Sequence, residues 1–265
     1  MTVRYWAGTI DWVSAILETR ALTKRFRGFV AVDGVNLQVR QGSIHALVGP
    51  NGAGKTTLFN MLSGFVRPTA GRVLFGGSDI THLPPDRIAR RGVGRSFQIT
   101  SLFEQLTVVE HVALALQAAT NLGYRFWASE SALHRFRPRA LEVLADVSLE
   151  SVAERPVHTL AYGQKRALEL ALVLAAEPSL LLLDEPTAGM GAEELAPITA
   201  LIRRIAAGRT VVLVEHNMGV VGELADIVTV LQRGSVLAEG PYAEVRRDER
   251  VVTAYLGQVD GHAAD

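Results

Sequence analysis

The sequence predicts an α/β fold wound around a buried parallel sheet, and three observations carry that prediction. Three apolar runs, Ile44-His45-Ala46-Leu47-Val48, Leu180-Leu181-Leu182-Leu183 and Val211-Val212-Leu213-Val214, are near-continuous rather than alternating. That is the pattern of strands covered on both faces. Each run ends in residues that handle phosphate: a glycine-rich turn, then Asp184-Glu185-Pro186, then Glu215-His216. A long, mainly helical stretch separates the first run from the second, as crossover connections between parallel strands require. Ligands of such sheets bind beyond the carboxyl ends of the strands. One crevice is therefore expected to collect Lys55, Thr56, Asp184, Glu185 and His216, far apart as they are in sequence.

The first run leads into Gly49-Pro50-Asn51-Gly52-Ala53-Gly54-Lys55-Thr56-Thr57, which fits the phosphate-binding pattern G-x-x-x-x-G-K-[ST]. The glycines and small Ala53 let the backbone curl so that successive N–H groups point at an anion. Lys55 adds a positive charge for the terminal phosphates, and Thr56 offers a hydroxyl to Mg²⁺. A helix beginning near Gly54 aims its positive end at the same point. The expected ligand is a nucleoside triphosphate.

Gly94-Arg95-Ser96-Phe97-Gln98 closes the first half of the core, and helical character follows over residues 108–119 and 129–147. Aromatic and basic residues meet at 124–127 and 135–139, which reads as a solvated helix–loop junction rather than a nucleic-acid surface. His158-Thr159-Leu160-Ala161-Tyr162-Gly163-Gln164 is a turn leading into an alanine- and leucine-rich helix at about 163–176. At the second strand exit, Asp184 can hold Mg²⁺ directly or through water. Glu185, pointing differently, can accept a proton from an attacking water. His216 can hydrogen-bond the γ-phosphate and fix that water.

Composition limits the remaining possibilities. A chain of 265 residues suffices for one α/β domain with a subdomain. Basic and acidic residues balance at 27 each, so no global field draws the chain to nucleic acid or anionic lipid. The absence of cysteine removes disulfides and thiolate metal sites. No apolar run has the roughly 18 residues of a membrane span. No basic-then-apolar export pattern opens the chain, so a cytosolic location is expected. Residues 1–15, which carry Trp6 and Trp12, read as a loosely ordered leader, and residues 258–265 as a flexible tail.

Taken in order, the phosphate loop, Gln98, Leu160-Ala161-Tyr162-Gly163-Gln164, Asp184-Glu185 and His216 resemble the ATP-binding subunits of ABC transporters, over about 16–257. The resemblance implies a P-loop NTPase (RecA-like) core of the ABC ATPase type, with an antiparallel β segment and a helical subdomain at about 99–176. It implies ATP and Mg²⁺ as ligands and ATP hydrolysis as the reaction. By position it gives Phe26 the stacking contact with adenine. It gives Gln98 a contact to Mg²⁺ or the attacking water and a link to the membrane partner, with docking near 101–108. Ala161, Tyr162, Gly163 and Gln164 would face the ATP held by an opposing subunit. It further implies a peripheral place on the cytoplasmic face of the inner membrane and two permease subunits as partners.

Two departures stand out: Ala161 occupies a position usually held by serine, and Gly191 one usually held by Asp or Asn. Neither removes a phosphate, metal or base residue, so an active ATPase is expected. Arg91-Gly92-Val93-Gly94-Arg95-Ser96-Phe97-Gln98, Ala188-Gly189-Met190, Val214-Glu215-His216-Asn217-Met218 and Ala254-Tyr255-Leu256-Gly257 are similar to the branched-chain amino-acid and urea uptake branch. That branch implies import of leucine-type amino acids, urea, amides or aromatic acids. It also implies a second, different ATPase subunit and, indirectly, an extracytoplasmic solute-binding protein. The alternatives are a soluble ABC ATPase of DNA repair or translation, which resembles paired cassettes or long coiled-coil insertions absent here, and the ATPase of an exporter.

Overall fold

The structure is a computed structural model that describes residues 15–96, 102–120 and 135–256. Residues 1–14 of the leader, the tail, Gln98 and the aromatic–basic stretch at 124–127 lie outside the described residues, and Ala15, expected in the leader, already begins the first strand.

Two sheets form the frame. Strands β1 (Ala15–Phe26), β2 (Phe29–Arg40), β4 (Ala70–Phe75) and β5 (Ser78–Asp79) make an antiparallel sheet in the order β2-β1-β4-β5. The second sheet runs β10-β9-β3-β8-β7-β6, from β3 (Ile44–Val48), β6 (Val93–Arg95), β7 (Leu180–Asp184), β8 (Thr210–Val214), β9 (Ile227–Gln232) and β10 (Ser235–Gly240). It is parallel from β9 to β6, with β10 antiparallel on β9. The three apolar runs are thus β3, β8 and β7, side by side and pointing the same way.

Why those runs do not alternate is visible in the packing. Leu47, Leu180, Leu182, Val212 and Val214 face one core, shared with β1, β2 and helix α1 (Lys55–Leu62). Their neighbours Ala46, Val48, Leu181, Leu183, Val211 and Leu213 face the other. Side chains alternate across a strand, so both registers must be apolar when both faces are covered. The second core is covered by α3 (Val108–Ala119), α4 (Arg137–Asp146), α5 (Tyr162–Leu174), α6 (Ala192–Ala206) and α7 (Met218–Leu224). Shorter helices are α2 (Pro85–Ala89) and α8 (Tyr242–Val245), and α9 (Glu249–Leu256) closes the described chain.

Helix α3 has the bounds its sequence predicts, because Thr107 and Glu110 form a reciprocal cap. Glu110 Oε2 accepts from Thr107 N at 2.7 Å, and Thr107 Oγ1 accepts from Glu110 N at 3.3 Å. The helix expected at 129–147 is described only from Arg137, and the one expected at 163–176 begins at Tyr162 and ends at Leu174. No helix among the described residues is long and apolar enough to cross a membrane.

Candidate functional site

The loop after β3 is held tight by its surroundings. At Gly49 (φ 150°) a Cβ would lie 2.2 Å from the Leu231 carbonyl oxygen, and at Gly54 (φ 101°) 2.4 Å from that of Ala31. Only glycine fits either place, because backbone from β9 and β2 presses against the loop. Gly234 N donates to Ala53 O at 2.9 Å, fastening the curl to the β9–β10 turn. Lys55, buried at the start of α1, donates through Nζ to Gly49 O at 2.6 Å and Pro50 O at 3.0 Å. Burial lowers its pKa and the Glu185 carboxylate raises it.

A cavity of about 280 Å³ opens over this loop. Asn51, Gly52, Ala53, Gly54, Lys55, Thr56 and Thr57 line it, together with Glu185, His216, Ala31 and Phe29. Gly49 and Pro50 sit behind it as acceptors for Lys55. Parallel register brings the far-apart residues together: β7 pairs with β8 from Leu180↔Thr210 to Asp184↔Val214, so their exits lie level. Phe26 does not line the cavity. Its ring lies at the hairpin tip under Lys24 Nζ, 4.8 Å from the centroid, while its cross-strand partner Phe29 faces the cavity, 66 % exposed. The sequence carries two aromatics three residues apart, and the hairpin pairs them across its tip with only Phe29 on the cavity wall.

At the β7 exit, Asp184 is buried, and its Oδ2 accepts from Arg95 Nη2 at 3.2 Å. Its Oδ1 is buried with no hydrogen-bond partner. Burial pushes the carboxyl up, and the Arg95 guanidinium pulls it back. A buried carboxylate oxygen left open is an anomaly that a ligand resolves. Thr56, exposed at the first turn of α1, lines the cavity. Among the described residues no cluster of three or more His, Asp or Glu is placed to hold a metal. One carboxylate and one hydroxyl fit Mg²⁺, which keeps waters and shares substrate phosphates rather than entering an all-protein cage.

Glu185, the next residue, has φ 45°, a left-handed conformation that costs a non-glycine residue about 1–3 kcal/mol. Glu185 lines the cavity, whereas Asp184, expected in the same crevice, sits buried behind it and does not. Glu185 Oε1 lies 2.7 Å from His216 Nε2, at the end of β8. Half of the histidine surface remains open, with its side chain 46 % exposed.

Three residues for which the sequence predicts no separate role support this arrangement. Glu215 is buried, its Oε1 accepting from Thr187 N and Oγ1 at 3.0 and 2.6 Å, and its Oε2 from His216 N at 2.9 Å. It fixes the two strand exits to each other. Arg95 ties Asp184 to Asn60 and Ser63 of the α1 region. Arg166 of α5 donates to three successive carbonyls at the end of β7 and just beyond it. The available signal for Arg166 was its i,i+3 spacing with Glu169 inside an otherwise apolar helix face.

Ala161, Gly163 and Gln164 line a different cavity, of about 440 Å³, with Glu193, Glu194 and Pro197 of α6. Ala161 precedes α5 and Gly191 precedes α6, and neither has a side chain to cap its helix. Gln164 Oε1 and Glu194 Oε2 reach back to their N–H groups, both at 3.1 Å. Tyr162 donates its hydroxyl to Ala188 O at 2.9 Å.

Comparison with known proteins agrees with this geometry. The ABC transporter family model matches residues 32–188, and a model described as branched-chain amino acid ATP-binding cassette transporter matches 235–261. The chain is 40% identical to the high-affinity branched-chain amino acid transport ATP-binding protein BraF of Pseudomonas aeruginosa, covering 92% of this chain and 98% of that one. LivG of Escherichia coli, described in the same words, is 36% identical over the same shares of the two chains. Among solved structures, a nucleotide-free ATP-binding cassette from an ABC transporter superposes with TM-score 0.81 at 29% identity, covering 91% of this chain and 99% of that one. A cassette solved in its ADP conformation superposes with TM-score 0.82 at 28% identity, over 92% and 99%. A phosphate loop backed by β2 and β9, a carboxylate–histidine pair at two neighbouring strand exits and these matches along the chain together place it in one family: it belongs to the ATP-binding subunits of ABC transporters, ATPases that work with membrane permeases.

Proposed function

We propose that this chain hydrolyses ATP to drive an importer of branched-chain amino acids or a related small solute such as urea, an amide or an aromatic acid. It docks on the cytoplasmic face of the membrane against two permease subunits, beside a second, different ATPase subunit. A solute-binding protein outside the membrane acts with it indirectly. The names of BraF and LivG support the cargo class, and the short contact between Glu185 and His216 at the wall of the Lys55 cavity carries the hydrolytic reading.

The loop N–H groups of residues 49–57, Pro50 excepted because it has none, receive the phosphates, and Lys55 exchanges its two carbonyl acceptors for phosphate oxygens. Asp184 and Thr56, with Gln98, would hold Mg²⁺, which would neutralise charge on the phosphate oxygens when bound. Glu185 takes the proton of the attacking water. His216 holds that carboxylate through Nε2 and positions the water against the γ-phosphate. The hairpin tip supplies the stacking face for the base through Phe26 or Phe29. Ala161, Tyr162, Gly163 and Gln164 serve the nucleotide of the opposing subunit, which accounts for their distance from this chain's own cleft.

The test is substitution of the base. Glu185→Gln keeps nucleotide affinity and lowers turnover of the assembled complex about 10²-fold or more. Lys55→Ala weakens nucleotide binding itself. Unchanged turnover in Glu185→Gln removes that residue as the base.

A further inference from the structure

The geometry points to Arg166 as a positioning residue for Glu185, connecting the N-terminal turns of α5 to the catalytic turn of the same chain. Arg166 is the buried arginine of α5, 8 % exposed, and its guanidinium is spent on the backbone beyond β7. Nε donates to Pro186 O at 3.1 Å, and Nη2 donates to Glu185 O at 3.0 Å and Asp184 O at 3.3 Å. Nη1 pairs with Glu169 Oε2 at 2.6 Å, one turn along the helix, which fixes the plane of the fork. A planar, delocalised fork can serve three consecutive carbonyls that diverge in direction, and a lysine point charge cannot.

What it grips is the strained point of the site. Glu185 holds φ 45°, and a residue in that region needs its surroundings to over-determine the backbone. On one side the strand ladder does so, with Glu185 N donating to Val214 O at 2.9 Å. On the other side the carbonyl of the same residue is held by Arg166. Tyr162, at the start of the same helix, adds a second contact by donating to Ala188 O at 2.9 Å. Helix α5 therefore clamps residues 184–188 at both ends. Its N-cap Ala161 and its first-turn residues Gly163 and Gln164 line the other cavity. A displacement of α5 on engagement of an opposing subunit is thus passed by a rigid fork to the backbone that aims the Glu185 carboxylate.

This inference rests on Glu185 as the base, and its test separates the two. The transporter complex carrying Arg166→Met, and separately Arg166→Lys, is compared with wild type for kcat, for KM and for nucleotide Kd by fluorescence titration. Arg166→Met is expected to lower kcat about 10²-fold, the cost of misplacing a catalytic group by about 1 Å, with Kd within about twofold. Arg166→Lys keeps the charge beside Glu169 and loses the fork, so it falls between. The decisive comparison places Arg166→Met in Glu185→Gln: a residue acting through Glu185 adds no further loss to the residual rate. Losses that multiply, or full kcat in Arg166→Lys, overturn the assignment. If Arg166→Met does not fold, Arg166→Lys alone and in Glu185→Gln decides. Unchanged turnover in Glu185→Gln by itself refutes the base instead, and leaves an Arg166 effect to be read as structural.

Discussion

At the residue scale the site combines groups that are unstable alone. Asp184 is tolerated in the core because Arg95 neutralises it, and Glu215 because four donors, Thr187 N and Oγ1, His216 N and Asn217 N, surround its carboxylate. His45 of β3 is the counterpart away from the site. It is fully buried, and its Nε2 lies 2.7 Å from Thr229 Oγ1, which donates onward to Glu239 Oε2 at 2.6 Å. Thr229 is already the donor to Glu239, so His45 donates to Thr229. Burial lowers the His45 pKa to about 4. The depressed value means the unfolded chain takes up a proton first as pH falls. The stability His45 contributes in its neutral form is therefore intact above about 6.5 and lost as pH drops toward 4, on the order of 3 kcal/mol in all. Burial shifts Glu239 the other way, raising its carboxyl, so its contribution is lost as pH rises and partly offsets the histidine. Denaturant melts of wild type and His45→Gln should therefore diverge with pH, the wild type losing more between about 6.5 and 4. Parallel pH profiles would show that His45 is not held neutral by the fold.

At the element scale, α3 and the segment before it form the surface best suited to a partner. Phe103 is 66 % exposed, yet its backbone is ordered: its N–H donates to His111 Nε2 at 2.8 Å, and Thr107 and Glu110 cap the helix behind it. Burial lowers the His111 pKa, which keeps the ring nitrogen free to accept. A large aromatic on a fixed loop, outside the nucleotide cleft, suits docking to a permease. Phe103→Asp is expected to abolish ATP-driven uptake while basal ATPase activity stays within about twofold, because the side chain supports no element of the cleft. Loss of nucleotide binding in that variant would remove 102–108 from the docking surface. Capping can be checked on the same helix. Thr107→Ala should lower stability by about 1 kcal/mol in thermal melts.

At the scale of the whole molecule, the proposed reading makes one chain half of the working unit. Ala161 and Gly163 line a cavity separate from the phosphate cleft, and under that reading a second subunit brings the two kinds of site together. Ala161 lacks the hydroxyl, and Gly191 the amide or carboxylate, that would reach across. A hydrogen bond to a charged group contributes on the order of 1.5–3 kcal/mol, so closure of two identical chains is expected to be weak. The isolated Glu185→Gln chain with ATP should scatter light as a monomer, and Ala161→Ser should shift it toward a dimer. Serine before α5 also caps that helix, so the shift must depend on ATP to count. A stable homodimer insensitive to Ala161→Ser would show that the chain closes on itself without a different partner.

The amino-acid sequence by itself determined the frame: a doubly covered strand has to be apolar in both registers, so β3, β7 and β8 were legible as runs, and a phosphate loop needs glycine where backbone crowds it. The carboxylate and histidine at the strand exits were legible for the same reason, since each directly ends an unmistakable run. Only the tertiary structure decided which aromatic of the β1–β2 hairpin faces the cleft, because Phe26 and Phe29 are a direct cross-strand pair and differ only in which strand carries them. It alone placed Arg95, Arg166 and Glu215 around the catalytic turn. Their partners lie 89, 19 and 28 residues away, and those of Arg166 beyond its own helix are three backbone carbonyls, of Glu185 and its two neighbours. A side chain that recognises a backbone leaves no partner residue type to read, so its role becomes visible only when the fold brings the helix to the strand.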